Sequence, residues 1–195
     1  MRVSREKAAE SRERILDTAA RLFREKGFDG IGVADLMKAA GLTHGAFYGH
    51  FSSKEDLMAQ AAERASRHAV EDMQSMVDQR EDLAPLAAVA QRYLSPAHAA
   101  NPGVGCVIAA LGADIARQGE TVRDGALAGV EASIAYMSEL APGKTEAIRR
   151  EQAINQYAAM VGALVLARMS LDKPLACEIL QTVSKNLSAA AGPAQ

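Results

Sequence analysis

The sequence predicts an all-α fold of about nine helices, with an N-terminal three-helix helix-turn-helix domain followed by a larger C-terminal helical domain. Apolar residues recur every three or four positions over most of the chain, which is the spacing of one helix face. No stretch alternates apolar and polar residues as a strand would, and Gly and Pro separate the periodic segments. With 195 residues, 49% of them hydrophobic, the chain can form two domains, which we place at residues 1–52 and 53–195.

The first helix is predicted to begin near Ser11 and to end at Gly27, just after two basic residues. Its inner face is formed by Ile15, Ala19, Leu22 and Phe23. Residues 1–10 carry Arg2, Arg5 and Lys7 without apolar periodicity. We interpret them as a mobile arm that could lie along phosphates or enter a minor groove, although a frayed tail fits equally well.

Two short helices around Gly41 form the predicted helix-turn-helix. Gly41 can adopt the left-handed conformation that ends one helix, and Thr43 can cap the next. The inner positions of the two helices are Val33, Leu36, Met37 and Ala40 in the first and Ala46, Phe47 and Phe51 in the second. The outward positions of the second helix are small or hydrogen-bonding, which suits base edges and phosphates in a major groove. They are Thr43, His44, Gly45 and Tyr48.

At these residues the chain resembles the TetR family of bacterial transcriptional regulators. The matching segments are residues 14–19, residues 22–28 and the Phe-Tyr-x-His-Phe-x-Ser-Lys-Glu-x-Leu motif at residues 47–57. One departure is Gly32 at the start of the second helix, where the family usually has Ser or Thr. Gly is an acceptable cap, so the fold is still expected, but phosphate contacts then depend more on other groups.

The resemblance implies a homodimeric repressor, bound to palindromic double-stranded operator DNA and released by a small molecule or reactive electrophile that the C-terminal domain senses. It places Thr43, His44 and Gly45 nearest the bases and Tyr48 and Lys54 on phosphates. The alternative is a helical adaptor protein without specific DNA binding. Affinity for random duplex DNA that falls steeply with salt would indicate the regulator, and little binding at any salt would indicate the adaptor.

The C-terminal domain is predicted to begin with a long helix to about Gln79, capped by Ser52 and Ser53. Further helices are expected at residues 83–94, at 105–116, from a cap at Thr121 to residue 140, at 144–169 and after Pro174, with a loop at 95–103. The last two helices are expected to form the dimer interface, where small residues let helices approach closely. These are Ala158, Ala159, Gly162, Ala163 and Ala167.

Cys106 is the candidate sensing residue. The flexible segment at residues 101–105 should place it in the first turn of a helix, where the helix dipole stabilises a thiolate. A Gly-Cys pair in this position also resembles a subset of TetR regulators that respond to electrophiles. Either Arg168 or Lys173 could approach the thiol. The alternative is that Cys106 is a small buried hydrophobic residue, as we expect for Cys177.

Several Met and aromatic residues in the centre of the chain could line a ligand cavity or could simply pack in the core. They are Met58, Met73, Met76, Tyr93, Met137, Tyr157 and Met160.

Composition and motifs argue against other classes of function. The formal net charge is −2, but residues 1–54 carry 10 basic and 7 acidic side chains, so the N-terminal part is cationic. No phosphate-binding Gly-rich loop, nucleophile motif or metal-ligand spacing is present in the sequence, and we expect no enzyme activity, cofactor or metal. The N-terminus lacks an apolar signal and no apolar run could span a bilayer, so we expect a cytoplasmic protein without a membrane partner.

Overall fold

The structure is a computed structural model that describes residues 5–171 and 173–190. Within these residues the chain is helical with no strand, which confirms the predicted all-α class. It forms nine α-helices and two short 3₁₀ helices, at His44–Gly49 and Pro102–Val104. The α-helices are α1 (Arg5–Lys26), α2 (Val33–Ala39), α3 (Lys54–Asp78), α4 (Pro85–Tyr93), α5 (Pro96–Ala100), α6 (Val107–Ala116), α7 (Glu120–Leu140), α8 (Glu146–Met169) and α9 (Pro174–Ala190).

Helix α1 begins at Arg5, so the predicted arm at residues 1–10 is wrong from that residue onward. The physical reason is that residues 5–10 have high intrinsic helix propensity, and a helix that projects into solvent needs no apolar face. The helix is also fixed to α3, because the Arg64 side chain pairs with both Glu13 and Asp17. The predicted contact of Arg2 with DNA lies outside the described residues.

The glycine turns of the N-terminal domain are as predicted. Gly27, after α1, and Gly41, after α2, have φ of +77° and +72°, the left-handed conformation that Gly adopts without strain. Gly32 precedes α2 with extended backbone and no side-chain cap, as expected. The predicted inner residues Leu36, Met37, Ala40, Phe47 and Phe51 are buried, and Val33 and Ala46 pack partly buried against them.

The core of the N-terminal domain does not stop at residue 52. One cluster of buried residues contains the inner faces of α1, α2 and the His44–Gly49 helix together with Val107 and Leu111 of α6 and Val122 of α7. The start of α3 is well defined, since the Ser53 hydroxyl accepts the Asp56 N–H at 3.0 Å. The Asp56 carboxylate in turn accepts the Ser52 backbone N–H, which lowers the pKa of Asp56.

Two boundaries in the C-terminal domain differ from prediction. The expected loop at residues 95–103 contains α5, which is capped by Ser95, and the start of a 3₁₀ helix, because Pro96 and Pro102 favour the first turn of a helix. Helix α7 is capped by Gly119 and begins at Glu120, so Thr121 lies inside its first turn and is not the cap. In the described part of the chain, no helix has the length and apolar character needed to cross a membrane.

Candidate functional site

The predicted recognition helix is a 3₁₀ helix of six residues, His44–Gly49. Thr43 is its N-cap by position, but the predicted side-chain cap is wrong. No side-chain cap hydrogen bond is present, and the Thr43 carbonyl accepts the Ala46 N–H instead. The short length of the segment explains this, because a tight 3₁₀ turn satisfies its first N–H groups with main-chain carbonyls. The Thr43 hydroxyl therefore makes no capping bond.

The four predicted contact residues on this segment are all exposed: Thr43, His44, Gly45 and Tyr48. Tyr48 is 69% exposed, and its ring lies edge-on to the buried Phe47 ring and to the His44 ring, with centroids 5.2 and 6.0 Å apart. The core beneath thus fixes the direction of Tyr48 while leaving its hydroxyl in solvent. A flat, polar, exposed face on a fixed short helix has the form of a groove-reading surface.

Lys54 is the first residue of α3, and its ammonium group donates a 2.6 Å hydrogen bond to the Phe28 carbonyl. This bond ties the start of α3 to the turn that follows α1. An ammonium has three donors, so the group can still contact a phosphate while it holds the carbonyl. The structure therefore gives Lys54 a structural partner that the sequence did not predict.

The second part of the candidate site is a cavity of about 380 Å³ in the C-terminal domain. Its wall from α3 is mainly small or apolar, with Ala65, Ala69, Met73 and Met76. The facing side is polar and includes Arg24, Tyr93, His98, Cys106 and Tyr157. Of the candidate cavity residues, Met73, Met76, Tyr93 and Tyr157 line it, whereas Met58, Met137 and Met160 are buried and do not.

Cys106 is buried and occupies the N-cap position of α6, one residue before the first turn in which it was predicted. The correction arises because residues 102–104 form a 3₁₀ helix, so α6 cannot begin at Gly105. The Cys106 N–H donates to His98 Nε2 at 3.0 Å, and His98 Nδ1 contacts the Tyr93 carbonyl at 2.6 Å. Nδ1 must carry the hydrogen, because a carbonyl only accepts, so His98 is neutral. Burial lowers the pKa of His98, and the positive charge of Arg168 acts in the same direction.

Two arginines flank the Cys106 segment. Arg24 of α1 donates to the Gly105 carbonyl at 3.1 Å, and Arg168 of α8 donates to the carbonyls of His98 and Ala99, each at 3.3 Å. Both guanidinium groups interact electrostatically with Cys106, and burial lowers the pKa of each. The structure thus brings Arg168 to the thiol, while Lys173, the other candidate, is exposed.

The phenol groups of Tyr93 and Tyr157 also interact with Cys106, and burial raises the pKa of both. Two phenols and two guanidinium groups thus interact with Cys106, which lines a partly apolar cavity. Within the described residues, no group of three His, Cys, Asp or Glu side chains could hold a metal ion.

Cys177 is exposed, so its predicted role in core packing is wrong. The buried positions of α9 are Ala176, Leu180 and Leu187, and Cys177 is not among them. Leu175, at the start of the same helix, is 50% exposed.

A family model for bacterial regulatory proteins of the tetR family matches residues 15–61, which contain the helix-turn-helix described above. Residues 15–61 therefore carry a DNA-binding domain of the TetR-family type. The HTH-type transcriptional regulator AcrR of Shigella flexneri is 42% identical over 59 residues, or 30% of this chain and 27% of AcrR. The HTH-type transcriptional repressor AcnR of Corynebacterium glutamicum is 43% identical over 65 residues, or 33% of this chain and 35% of AcnR. The match thus spans only about a third or less of these relatives, within the TetR DNA-binding domain.

Solved structures extend the likeness of fold to nearly the whole chain. The reduced form of Escherichia coli NemR has a TM-score of 0.77 at 24% identity, covering 92% of this chain and 96% of NemR. A TetR-family regulator from Agrobacterium tumefaciens has a TM-score of 0.75 at 20% identity, covering 93% of this chain and 99% of its own. At these identities the comparison shows a TetR fold for the C-terminal domain.

Sequence reasoning did not assign two polar residues, Arg24 and His98, to the cavity. From the sequence, Arg24 looks like a cation that offsets the helix dipole at the end of α1. His98 looks like an isolated surface histidine. The Gly105-Cys106 pair, by contrast, could be recognised from the sequence as part of a candidate site. A Cβ at Gly105 would collide with the His98 ring and lie 3.0 Å from Arg168 Nη2, so Gly is required for the close approach of both side chains.

Proposed function

We propose that the chain is a homodimeric transcriptional repressor that binds a palindromic operator in the cytoplasm and is released when Cys106 reacts. The observation that carries the first part is the exposed face of Thr43, His44, Gly45 and Tyr48 on a short helix held by buried Phe47. In a two-fold dimer, two such helices would enter major grooves about 34 Å apart or a multiple of that distance.

Residue roles on the operator follow from position. We assign Thr43, His44 and Gly45, at the N-terminal end of the recognition helix, to base edges, and we assign Tyr48 and Lys54 to phosphates. The operator can be isolated by selection from a random duplex library with the wild-type protein. Replacement of His44 by Ala should then change the selected sequence, because a base contact carries the specificity.

Lys54→Ala should weaken binding to all sequences equally and reduce the slope of log affinity against log salt by about 0.9 for each subunit. Lys54 also holds the Phe28 carbonyl, so the melting temperature of the variant must be measured alongside. Lys185→Ala, at an exposed lysine of α9, is the matched control and should leave the slope unchanged. An unchanged slope in a folded Lys54→Ala protein would remove Lys54 from the phosphate contacts.

Support for the dimer comes from an apolar strip on α8 that the chain does not cover. Ile154, Val165, Leu166 and Met169 are 37–78% exposed and lie on the same side of the helix as Ala158 and Gly162. A Cβ added at Gly162 would meet nothing within 4 Å, so there is open space for a close helix approach. Of the other small residues predicted for this interface, Ala159 is exposed, whereas Ala163 and Ala167 are buried in the chain's own core. Sedimentation showing only monomer at micromolar concentration would contradict the proposed dimer.

The sensor role of Cys106 is supported by its position beside the cavity and by the two arginines and two phenols around it. The alternative of an inert buried cysteine predicts the same burial but no release from DNA.

The test is titration of the protein–operator complex with a quinone, an aldehyde and hypochlorite. Wild type and Cys177→Ser should dissociate at the same doses, and Cys106→Ser should need much higher doses. Equal release of Cys106→Ser and wild type would show that Cys106 is not the sensor.

A further inference from the structure

Three buried donors around the cavity make no hydrogen bond of normal geometry among the described residues: Arg24 Nε, Arg168 Nη1 and the Tyr93 hydroxyl, which interacts with the Cys106 thiol. Arg24 and Tyr93 both line the cavity, and Tyr93 is only 5% exposed. Buried polar groups are normally paired, because leaving one unpaired costs about 1–3 kcal/mol. The cavity thus has polar groups that await a partner, and the guanidinium groups among them can only donate.

The charge of the same region is also unbalanced. In the described part of the chain, neither Arg24 nor Arg168 has a carboxylate within 4 Å. Asp72 of α3 is the acidic residue of the cavity lining, and its charge and that of Glu25 act on Arg24 without forming an ion pair. His98 is held neutral by its two hydrogen bonds. Half-buried cations without an ion pair favour an anionic partner.

The α3 side of the cavity is mixed in character. Ala65, Ala69, Met73 and Met76 present an adaptable apolar surface, and Asp72 and Ser75 of the same helix also line the cavity. A volume of about 380 Å³ is at the small end of the range for ligand pockets. The complementary ligand is therefore small and has an apolar body with one anionic end.

We propose that this cavity reversibly binds a small organic monocarboxylate, with its carboxylate on Arg24 and the Tyr93 hydroxyl and its apolar body against α3. This inference deepens the proposed function, on which its regulatory meaning rests, by naming a class of effector that acts without reaction at Cys106. Arg24 belongs to α1, so the carboxylate would join the helix behind the DNA-reading unit to Tyr93 of α4. Occupancy of the cavity would then bias the position of α1 relative to the C-terminal domain.

Binding can be measured on the DNA-free protein by calorimetry and thermal shift, with 4-phenylbutanoate as probe. 4-Phenylbutanamide has a similar shape without the charge, and inorganic phosphate has charge without the apolar body. We expect the carboxylate to bind and to raise the melting temperature. The amide and phosphate should bind at least about tenfold more weakly, because this is the typical loss when a hydrogen bond to a charged group is removed.

Tyr93→Phe removes only the hydroxyl and should weaken carboxylate binding by about tenfold or more. Arg24→Gln should do the same, and Arg24→Lys, which retains the charge, should recover part of the affinity. Arg117→Gln is the control, because Arg117 is an exposed arginine paired with Asp114.

Equal binding of the carboxylate and the amide, or full carboxylate affinity in both Tyr93→Phe and Arg24→Gln, would overturn the proposal. So would absence of carboxylate binding to a wild-type protein that melts cooperatively. None of these results depends on DNA, so they are distinct from failure of the operator experiment. Conversely, a protein that binds the carboxylate but no operator would keep the site and refute the repressor.

Discussion

Gly129 marks the closest approach of α7 to α3, the long helix that runs from the DNA-reading unit to the cavity. A Cβ added to Gly129 would overlap the Ser66 Cβ, and it would lie 2.6 Å from Ser66 Oγ and 3.1 Å from its Cα. Carbon atoms pack at about 3.5–4.0 Å, so the two helices would have to separate. Gly129→Ala should therefore weaken the packing of α7 against α3 within the C-terminal domain.

The expected change in the free energy of unfolding of Gly129→Ala is the difference between two effects. Ala in place of Gly inside a helix gains up to about 1 kcal/mol in intrinsic propensity. Overpacking a core contact typically costs about 1–3 kcal/mol, and this contact involves backbone that cannot rotate away. We expect a net loss of about 1–2 kcal/mol, which for a chain of this size lowers the melting temperature by roughly 2–8 °C.

The assay is thermal unfolding at one fixed protein concentration, because a dimer's melting temperature depends on concentration. Gly112→Ala is the matched control, since its Cβ would meet only the Ile108 Cγ2 methyl at an ordinary 3.5 Å, and it should be neutral or stabilising. Ser66→Gly removes the atom that causes the overlap, so combining it with Gly129→Ala should restore at least half of the lost stability. A Gly129→Ala protein as stable as wild type would refute this description of the α3–α7 contact.

Three further perturbations test other parts of the structure. The pKa of His98 in the folded chain lies below its ordinary 6.5, so the unfolded chain takes up a proton first as the pH falls below about 6.5. The free energy of unfolding should therefore fall by up to about 1.4 kcal/mol per pH unit. Urea titrations should show a smaller loss of stability with falling pH for His98→Asn, but the wild-type loss for His68→Asn. The same pH dependence in all three proteins would contradict a neutral His98 between the Cys106 N–H and the Tyr93 carbonyl. Met169→Glu should convert the dimer to monomer in sedimentation, whereas Leu127→Glu, at an exposed leucine of α7, should not. Gly41→Ala should lose about 1–2 kcal/mol of stability, because φ is +72° there, and an unchanged melting temperature would show that the turn relaxes readily.

The parts of the fold that local chemistry determines were predictable from sequence. Gly27 and Gly41 end helices because of their own backbone freedom, and Ser53 caps α3 through a residue three positions on. The exposed face from Thr43 to Tyr48 followed from helical spacing around buried Phe47. In each case the cause lies within a few residues of its effect.

The cavity required knowledge of tertiary contacts. Arg24 meets Gly105 across 81 positions of sequence, and this depends on Gly103, whose absent side chain leaves room for Glu25 of α1. His98 could be assigned its role only once α5 was known to place it beside Cys106. A Cys at a helix start was visible in the sequence, but the groups that surround it come from four different helices.

The most direct test of the account is the salt dependence of duplex DNA binding by the full-length protein, followed by fluorescence anisotropy from 50 to 200 mM salt. The account predicts binding at low salt with log affinity falling linearly and steeply against log salt, because each phosphate contact releases counterions. It further predicts that the selected palindrome binds at least about a thousandfold more tightly than random duplex at equal salt. Little or no binding to either DNA at the lowest salt, by a protein that is folded and dimeric, would contradict the DNA-binding regulator and favour a helical adaptor.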